Sequence, residues 1–254
     1  MPADGAGVRS LLRGLSGIAV FLIIWQFLTL FFPPLVVPPV LKVVWRMKEI
    51  ILGKKFLSIV LTTVTRFVTG LCIGVSVGTV LGLLCGISRR VEEMLSPWIV
   101  IMQAVPPICW VVLALVWFGF NGKPCIFIVA AASVPPIVLN LVRGVRSMDP
   151  DLLEMGRLYG FSKRKMLRHI VLPSIRPFFL SALHIVIGSG WKLVVMGEVL
   201  TTSTGIGGAV TTARLNIEPD TIIAWGVILV VLCFGTEWVM KLLIPGGGGD
   251  YAGN

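Results

Sequence analysis

Residues 61–87 read LTTVTRFVTGLCIGVSVGTVLGLLCGI, a stretch that contains one charged side chain, Arg66, among apolar and small residues. A helix needs about 20 predominantly apolar residues to cross a hydrocarbon core of about 30 Å. The stretch is long enough for such a helix. It lacks the alternating segments of about ten residues that indicate a transmembrane β-barrel. The sequence therefore predicts an all-α integral membrane protein.

The rest of the chain has the same character. Of its 254 residues, 56% are hydrophobic and only 13% are charged, about half the charged share of a soluble domain. Apolar runs predict about six transmembrane helices, at roughly 15–32, 61–87, 96–118, 124–141, 176–200 and 221–244. Between the first two runs, PPVLKVVWRMKEIILGKKF places apolar residues at helical spacing opposite charged ones. This pattern predicts an additional helix that lies at the membrane interface.

The net charge of +10 is typical of a membrane protein because Lys and Arg collect in cytoplasmic loops. Basic residues precede the first span, occur at Arg89 and Arg90, and cluster between Arg143 and Arg176. This distribution favours an N-terminus inside the cell, although the basic interfacial helix opposes it. An even number of spans would place both termini in the cytoplasm. No aromatic and basic surface motif indicates nucleic acid binding.

The sequence contains no recognisable catalytic constellation. The two histidines, His169 and His184, are isolated, and the five cysteines lie in apolar runs without a CxxC pair. The cysteines are therefore expected to be free, buried thiols, with no metal site. No HExxH, GxSxG or GxxxxGK[ST] motif is present. We predict that the chain is not an enzyme and binds no cofactor, so that any ATP hydrolysis belongs to a separate subunit.

A stripe of glycines marks the second span, where one glycine recurs every four residues: Gly70, Gly74, Gly78, Gly82 and Gly86. Such a stripe lets another helix approach closely, so that dispersion forces hold the two backbones together. The partner is either another helix of the same chain or a helix of a second subunit.

Two pairs of adjacent prolines interrupt the next spans, Pro106–Pro107 and Pro135–Pro136. Proline removes a hydrogen-bond donor and breaks a helix, and broken helices at membrane depth are buried or line a cavity. The sequence therefore predicts two broken helices, which either line a pathway or are kinks within a bundle. Glu198, near the end of span five, faces a cavity or lies at the outer interface. The long side chain of Arg66 could extend so that its charged end lies at the membrane interface.

A charged segment, EMGRLYGFSKRKMLRHIVLP at residues 154–173, contrasts with its apolar surroundings. Asp149 is a helix N-cap with Pro150 at the first helical position. Gly160 ends that helix, Ser162 caps a second one, and Pro173 marks the turn into span five. The segment predicts a helical hairpin on the cytoplasmic face. It could alternatively be an amphipathic hairpin that anchors to anionic lipid.

This segment resembles the EAA loop of the inner-membrane permeases of bacterial ABC importers. That loop has Glu, two small residues, three positions, Gly, nine positions and then Ile-x-Leu-Pro. The matching residues here are Glu154, Met155, Gly156, Gly160, Ile170, Leu172 and Pro173. Met155 departs from the pattern, since the family usually has Ala there. The resemblance runs from about residue 37 to 240 and includes RFVTGLCIGVSVGTVLGLLCG, VPPICWVVLALVWFG and GSGWKLVVMGEVLTTSTGIGG. It is closest to the nitrate, taurine and alkanesulfonate permease branch.

The resemblance implies one transmembrane permease domain over residues 1–254, with its core at about 55–244 and its coupling loop at 148–173. The protein would be the permease subunit of an ATP-driven importer in the bacterial cytoplasmic (inner) membrane. Its implied partners are the lipid bilayer, a second permease copy in a homodimer, two cytoplasmic ABC ATPase subunits that bind ATP, and an extracytoplasmic solute-binding protein. The cargo would be a small solute, such as a sulfonate, taurine, nitrate or bicarbonate. The alternative is a stand-alone secondary transporter or channel, which inverted repeats would favour.

The same resemblance assigns roles to individual residues. Docking to the ATPase would fall to residues around the hairpin turn: Glu154, Met155, Gly156, Tyr159, Gly160, Phe161 and Ser162. The candidates for the solute pathway lie in spans three to five: Gln103, Pro106, Trp110, Ser189, Trp191 and Glu198.

Overall fold

The computed structural model describes residues 4–243, with side chains described from residue 16 onward except those of Lys163, Lys241 and Leu243. This part of the chain is helical and contains no strand, which confirms the all-α class. Its helices are α1 (Asp4–Leu28), α2 (Val40–Leu52), α3 (Phe56–Ile87), α4 (Arg89–Ala104), α5 (Pro107–Phe118), α6 (Lys123–Arg146), α7 (Pro150–Leu158), α8 (Lys163–Met166), a π-helical turn (Leu167–Val171), α9 (Leu172–Thr201), α10 (Gly205–Leu215) and α11 (Pro219–Leu243).

Four helical segments of the described residues are long and apolar enough to cross a membrane: Phe56–Ile87, Lys123–Arg146, Arg164–Thr201 and Pro219–Met240. Helices α4 and α5 form a fifth crossing if they are taken as one span, because together they pass the same test and are bent by 99°. The remaining predicted span corresponds to Ser16–Leu28, a shorter apolar helix.

The described residues form two compact units. The first comprises the residues up to Leu57 together with Ala209–Ile228, and the second comprises Ser58–Gly208 and the residues from Leu229 onward. The division of the chain into one permease domain stays a prediction. The predicted location of both termini lies outside the described residues.

Within the second unit, the glycine stripe of α3 packs along α6. A Cβ atom added to Gly74 would lie 2.6 Å from the Ala130 carbonyl oxygen and 2.7 Å from Ser133 Cβ. The same close approach recurs from Gly70, opposite Val129, to Gly86, opposite Val145. Both helices advance by four residues between successive contacts, so they run in the same direction. Packing within one chain is confirmed, and the alternative use of this stripe as a subunit interface is wrong.

The second proline pair does not break its helix. Helix α6 continues from Lys123 to Arg146 through Pro135 and Pro136, so the prediction of a broken fourth span is wrong. Helix α6 is the most enclosed of the candidate spans, with 61% of its apolar window buried. Packing against the neighbouring helices holds the backbone helical although two N–H donors are lost. The Asn140 amide also donates to the Pro136 carbonyl at 2.8 Å.

The hairpin continues into span five without a turn at Pro173. Residues Arg164–Thr201 form one segment of 38 residues, with the π-helical turn Leu167–Val171 inside it. Pro173 stands at the beginning of α9. The wider π turn immediately before Pro173 accommodates a residue that cannot donate to the preceding turn. The predicted turn is therefore wrong, and the hairpin is joined to a membrane span by continuous helix.

The core of the second unit is centred on α6 and α9. Phe67 and Trp191 stack with ring centroids 4.5 Å apart, and Val111, Ile128 and Val194 close around them. The cysteines are free thiols in several environments, since Cys85 and Cys125 are buried, Cys72 and Cys109 are exposed and Cys233 is half-buried. The prediction that all five are buried is wrong.

In the first unit, the predicted amphipathic helix is α2. Its charged side faces the start of α11, where Lys42 Nζ and Arg46 Nε lie 3.4 and 3.5 Å from the buried Asp220 carboxylate. Burial lowers the pKa of Arg46, but the hydrogen bond that Arg46 donates to the Glu49 carboxylate and the charges of Asp220 and Glu218 outweigh it, so the pKa of Arg46 is raised.

The apolar side of α2 is exposed. Leu41, Val44 and Trp45 are all more than half exposed, and Lys48 Nζ lies 5.2 Å from the centre of the Trp45 ring. An exposed apolar stripe with Trp and Lys at its edge is typical of a helix at a membrane surface. The position of α2 at the interface stays a prediction, and the helix itself is confirmed.

Candidate functional site

The coupling hairpin, residues Asp149–Val171, begins with the predicted cap. Asp149 Oδ1 accepts a hydrogen bond from the Asp151 backbone N–H at 2.9 Å, and Pro150 occupies the first position of α7. The cap satisfies one of the donors that a helix start leaves without a partner. Asp151 also places an acid in the first turn, where the helix dipole favours negative charge.

The hairpin turns at Gly160, which has φ +65°. Its N–H donates to the Arg157 carbonyl at 3.0 Å, and the Phe161 N–H donates to the Gly156 carbonyl at 2.9 Å. These two bonds form a Schellman motif, whose left-handed residue is most often glycine. Ser162 Oγ then accepts from the Lys165 N–H at 3.4 Å. The predicted helix–turn–helix is confirmed.

One face of the hairpin is open. Glu154 is exposed and has no ion-pair partner among the described residues, and Met155 and Tyr159 are 43% and 77% exposed. Leu158, at 82% exposure, is a member of this face that the sequence reasoning missed. Leu158 follows Glu154 by four residues, and residues at that spacing share one face of a helix, so the sequence could have indicated its place on this face. An acid surrounded by exposed apolar side chains is suited to contact another protein.

Gly156 does not belong to this face. A Cβ added there would lie 2.9 Å from Met166 Sδ and from Ile170 Cδ1, and the residue is buried. Gly156 therefore lets α7 pack on the second helix of the hairpin, and its assignment to the docking surface is wrong. By contrast, a Cβ added to Gly160 meets nothing within 4 Å. Phe161 and Ser162 are exposed beside it, and Phe161 lies edge-on to His169 at 6.4 Å.

The first proline pair forms a pronounced break between α4 and α5. Pro106 is the residue before α5 and Pro107 its first residue, and the two helices meet at 99°, which is more than a kink. Gln103 and Trp110 lie together on a cavity of about 170 Å³ at this break. Gln103 also lines a second cavity of about 460 Å³, together with Glu92. Their role in a solute pathway stays a prediction.

Two of the pathway candidates on α9 are placed differently. Trp191 is 1% exposed and its indole N–H donates to Thr236 Oγ1 at 3.0 Å, so it is a core residue and not a cavity residue. Ser189 is exposed, and its hydroxyl donates to the Ile185 carbonyl of its own helix at 2.8 Å. The sequence assigned both to one helix but could not predict which side of the helix faces the core.

Glu198 lies in a buried charge cluster. Its carboxylate is fully buried and lies 2.7 Å from Arg66 Nη1. It also accepts from Thr63 Oγ1 at 2.9 Å and from the Gly207 N–H at 2.9 Å. Arg66 is only 13% exposed and donates a second time, to Thr204 Oγ1 at 2.7 Å.

This cluster changes the interpretation of both charges. The pairing shows that neither charge is without a partner, which corrects the expectation that Arg66 and Glu198 act separately, and the position of Glu198 on a pathway or of either residue at the membrane interface stays a prediction. Lone charges in apolar spans signalled that each needs a partner, but 132 residues separate the two in sequence, so the pairing could not be predicted.

Glycines enclose the charge cluster. Gly205 has φ +83°, and a Cβ added to it would collide with Glu198 Oε1. A Cβ on Gly207 would lie 2.6 Å from the Val195 carbonyl oxygen, and one on Gly122 would lie 2.9 Å from Arg66 Cζ. The sequence TGIGG at residues 204–208 thus brings the Gly207 N–H onto the carboxylate, an approach that the absence of a side chain permits.

Comparison with known proteins defines the family. Residues 78–246 match the family described as the binding-protein-dependent transport system inner membrane component. The chain belongs to this family. It is a transport permease of the ABC importer type with membrane-spanning helices.

Two curated relatives illustrate the similarity. The chain is 31% identical over 226 residues to the bicarbonate transport system permease protein CmpB of Synechococcus elongatus. The aligned region covers 84% of this chain and 81% of CmpB. It is 25% identical over 242 residues to the taurine transport system permease protein TauC of Escherichia coli. That aligned region covers 92% of this chain and 88% of TauC. Both relatives are named permeases rather than enzymes.

A solved structure supports the fold. The bacterial alginate ABC transporter in complex with alginate pentasaccharide-bound periplasmic protein matches with a TM-score of 0.62 at 16% identity. The match covers 92% of this chain and 94% of the solved chain. At this identity the similarity concerns the fold.

Proposed function

We propose that two copies of this chain form the solute pathway of an ATP-driven importer and couple to cytoplasmic ATPase subunits through the coupling hairpin. The observation that carries the proposal is the continuous helical connection between the exposed hairpin and a membrane span. The second helix of the hairpin continues through the π turn as one segment of 38 residues. A movement imposed on the hairpin would therefore be transmitted to α9.

The length of this segment sets the scale of the transmitted motion. At 1.5 Å per residue, 38 residues extend about 57 Å. A tilt of about 5° would displace the far end by about 5 Å, a size that changes the access of a small solute. ATP binding would close the ATPase pair, draw the two hairpins together and tilt the spans. ATP would be bound by the partner subunits, and this chain would bind no cofactor.

The cargo is proposed to be a small solute with an anionic group, such as bicarbonate or the sulfonate-bearing taurine. The relatives named for those solutes support this class. Glu198 does not oppose an anionic cargo, because Arg66 lies 2.7 Å from its carboxylate and offsets the charge. A pathway near Gln103 and Trp110 need only pass the solute on, since an extracytoplasmic binding protein would select it.

The proposed location is the bacterial cytoplasmic membrane, with both termini in the cytoplasm. This orientation places the coupling hairpin and the Arg-rich connections inside, in agreement with the distribution of basic residues in membrane proteins. The binding protein would then act at the opposite face.

Purification from native membranes in gentle detergent tests the coupling, with partners identified by mass spectrometry. Wild-type protein should recover an ATPase subunit that carries a Walker motif. Glu154→Arg should lose it, because Glu154 is exposed on the docking face. Glu93→Arg is the matched control, since Glu93 is an exposed acid outside the hairpin. Recovery of the folded chain without any ATPase would contradict the proposal and favour a stand-alone transporter or channel.

Gly160 provides a functional test of the same surface. Gly160 has φ +65°, a conformation that a β-branched residue rarely adopts, so Gly160→Val should distort the hairpin turn without preventing insertion of the spans and should uncouple ATP hydrolysis from uptake. Uptake of radiolabelled bicarbonate and taurine by cells that express the complete transporter measures the effect. Normal uptake by a correctly inserted variant would show that the hairpin does not couple the two activities.

A further inference from the structure

A cavity of about 520 Å³ lies beside the base of the coupling hairpin, within the second unit. Residues of α3, α6, the π turn and α9 line it, among them Thr79, Leu83, Leu141, Arg168, Arg176 and Phe179. The cavity is distinct from the two cavities near the α4–α5 break, because it shares no lining residue with them. We propose that this cavity binds one anionic phospholipid, with its headgroup on the two arginines and an acyl chain on the apolar wall.

The two arginines provide the first argument. Arg168 and Arg176 are exposed, and neither has a hydrogen-bond or ion-pair partner in the described part of the chain. Arg176 lies near the start of α9, where the hairpin leads into the membrane span, and basic side chains at such a boundary attract anionic lipid. About 12 Å of helix axis separates residues eight positions apart, a gap that two arginine side chains can close around one phosphate. An anion between them would satisfy both.

The walls provide the second argument. Leu141 and Ile175 belong to a buried apolar cluster that also includes the half-buried Leu83 and Phe179. Arg168, Leu172, Arg176 and Phe179 follow one another at helical spacing, so the charged and apolar parts lie along one face. A small inorganic anion would leave this apolar wall uncovered, whereas a phospholipid covers it with an acyl chain. Basic pockets between transmembrane helices bind such headgroups on the cytoplasmic side.

Thr79 provides the third argument. Its hydroxyl oxygen is buried and has no hydrogen-bond partner, and the residue lines the same cavity. Buried polar atoms in folded proteins almost always have a partner. Rotation of the Thr79 side chain toward the cavity would let a phosphate or glycerol oxygen of the lipid accept from this hydroxyl.

Lipid binding to the purified, delipidated full-length protein tests the proposal. Intrinsic tryptophan fluorescence and thermal stability would be followed during titration with dioleoyl phosphatidylglycerol, dioleoyl phosphatidylcholine or sodium phosphate in detergent. Wild-type protein should bind phosphatidylglycerol at least about ten-fold more tightly than phosphatidylcholine, because both lipids carry a phosphate but the choline cation cancels its charge and is repelled by the two arginines, whereas basic residues attract lipids of net negative charge. Sodium phosphate at equal concentration should not displace the lipid.

Two variants and one control locate the site. R168Q/R176Q should weaken phosphatidylglycerol binding at least about ten-fold and remove the preference over phosphatidylcholine. L83W should weaken both lipids alike by occupying the acyl part of the cavity. R90Q/R214Q removes the same charge at two exposed positions that do not line the cavity and should bind as wild type.

Several outcomes would overturn the proposal. Equal binding of the two lipids by wild type, or unchanged lipid binding by R168Q/R176Q, would show that the arginines hold no headgroup. Displacement of the lipid by sodium phosphate would indicate a site for free anions. Dissociation of a dimer in R168Q/R176Q at unchanged lipid affinity would show that a second copy covers this surface. The assay needs no ATPase, so a negative result would not bear on the proposed function. Only the assignment of the lipid to the cytoplasmic leaflet rests on the proposed function.

Discussion

Removal of the Glu198 carboxylate should destabilise the protein strongly. Glu198→Ala leaves the guanidinium of Arg66, which is 13% exposed, without its charged partner. It also removes the acceptor of the Gly207 N–H, which lies 2.9 Å from the carboxylate. Breaking a buried ion pair from one side costs about 3–5 kcal/mol. Because Arg66 keeps slight access to solvent, we expect about 3 kcal/mol.

The expected change is measurable by thermal unfolding in detergent. One kcal/mol corresponds to about 2–4 °C in Tm for a protein of this size, so Glu198→Ala should lower Tm by about 6–12 °C. Glu93→Ala is the matched control, because the Arg89–Glu93 pair is 85% and 66% exposed and exposed pairs contribute little. A decrease of less than about 2 °C for Glu198→Ala, or one equal to that of Glu93→Ala, would refute the reasoning.

The double variant Arg66→Met with Glu198→Met separates the ion pair from the remaining hydrogen bonds. Replacement of a buried pair by apolar residues of similar volume is often neutral. The Gly207 N–H would still lose its bond to the carboxylate, at about 1–3 kcal/mol, whereas the Thr204 hydroxyl keeps Thr202 Oγ1 at 3.0 Å. The double variant should therefore be less destabilised than the sum of the two single variants. Additive effects would show that Arg66 and Glu198 do not interact as a pair.

Three further predictions concern packing, the hairpin turn and the first unit, and thermal unfolding measures each. Gly74→Ala should destabilise the protein by about 1–3 kcal/mol, because its Cβ would lie 2.6 Å from the Ala130 oxygen. Gly226→Ala should not destabilise the protein, because the added atom meets nothing within 4 Å. Equal effects of the two substitutions would contradict close α3–α6 packing. Gly160→Ala should cost about 1–2 kcal/mol because of φ +65°, and Gly160→Asn should cost less; the reverse order would contradict a left-handed turn. Asp220→Ala should cost about 1–2 kcal/mol, since its carboxylate is 4% exposed but Lys42 is 56% exposed, and an unchanged Tm would show that α2 is held by its apolar contacts alone.

Features that depend on neighbouring residues could be predicted well. The helical membrane class follows from the length of apolar runs, since a span must satisfy its own backbone hydrogen bonds. The hairpin follows from the Asp149 and Ser162 caps and from Gly160, which act within four residues of their own positions. The break at Pro106–Pro107 is local for the same reason. Residue spacing also carried the resemblance to the family to which the chain belongs.

Features that depend on distant residues could not be predicted. The same proline signal that breaks α4 from α5 leaves α6 continuous, because packing around α6 outweighs the local loss of hydrogen bonds. Gly156 and Gly160 are alike in sequence, yet one is buried against Met166 and the other is open. Only the folded chain decides which side of a helix is covered.

The sequence by itself determined that this protein is a helical membrane permease with a capped, charged hairpin, because these properties arise from local length, spacing and capping. The tertiary structure decided the partner of each remaining group. It placed the glycine stripe on α6, joined the hairpin to span five and paired Arg66 with Glu198 across 132 residues. The physical reason is that a buried charge needs a partner and a glycine allows a close neighbour, but packing between distant helices determines which residue becomes that partner or neighbour.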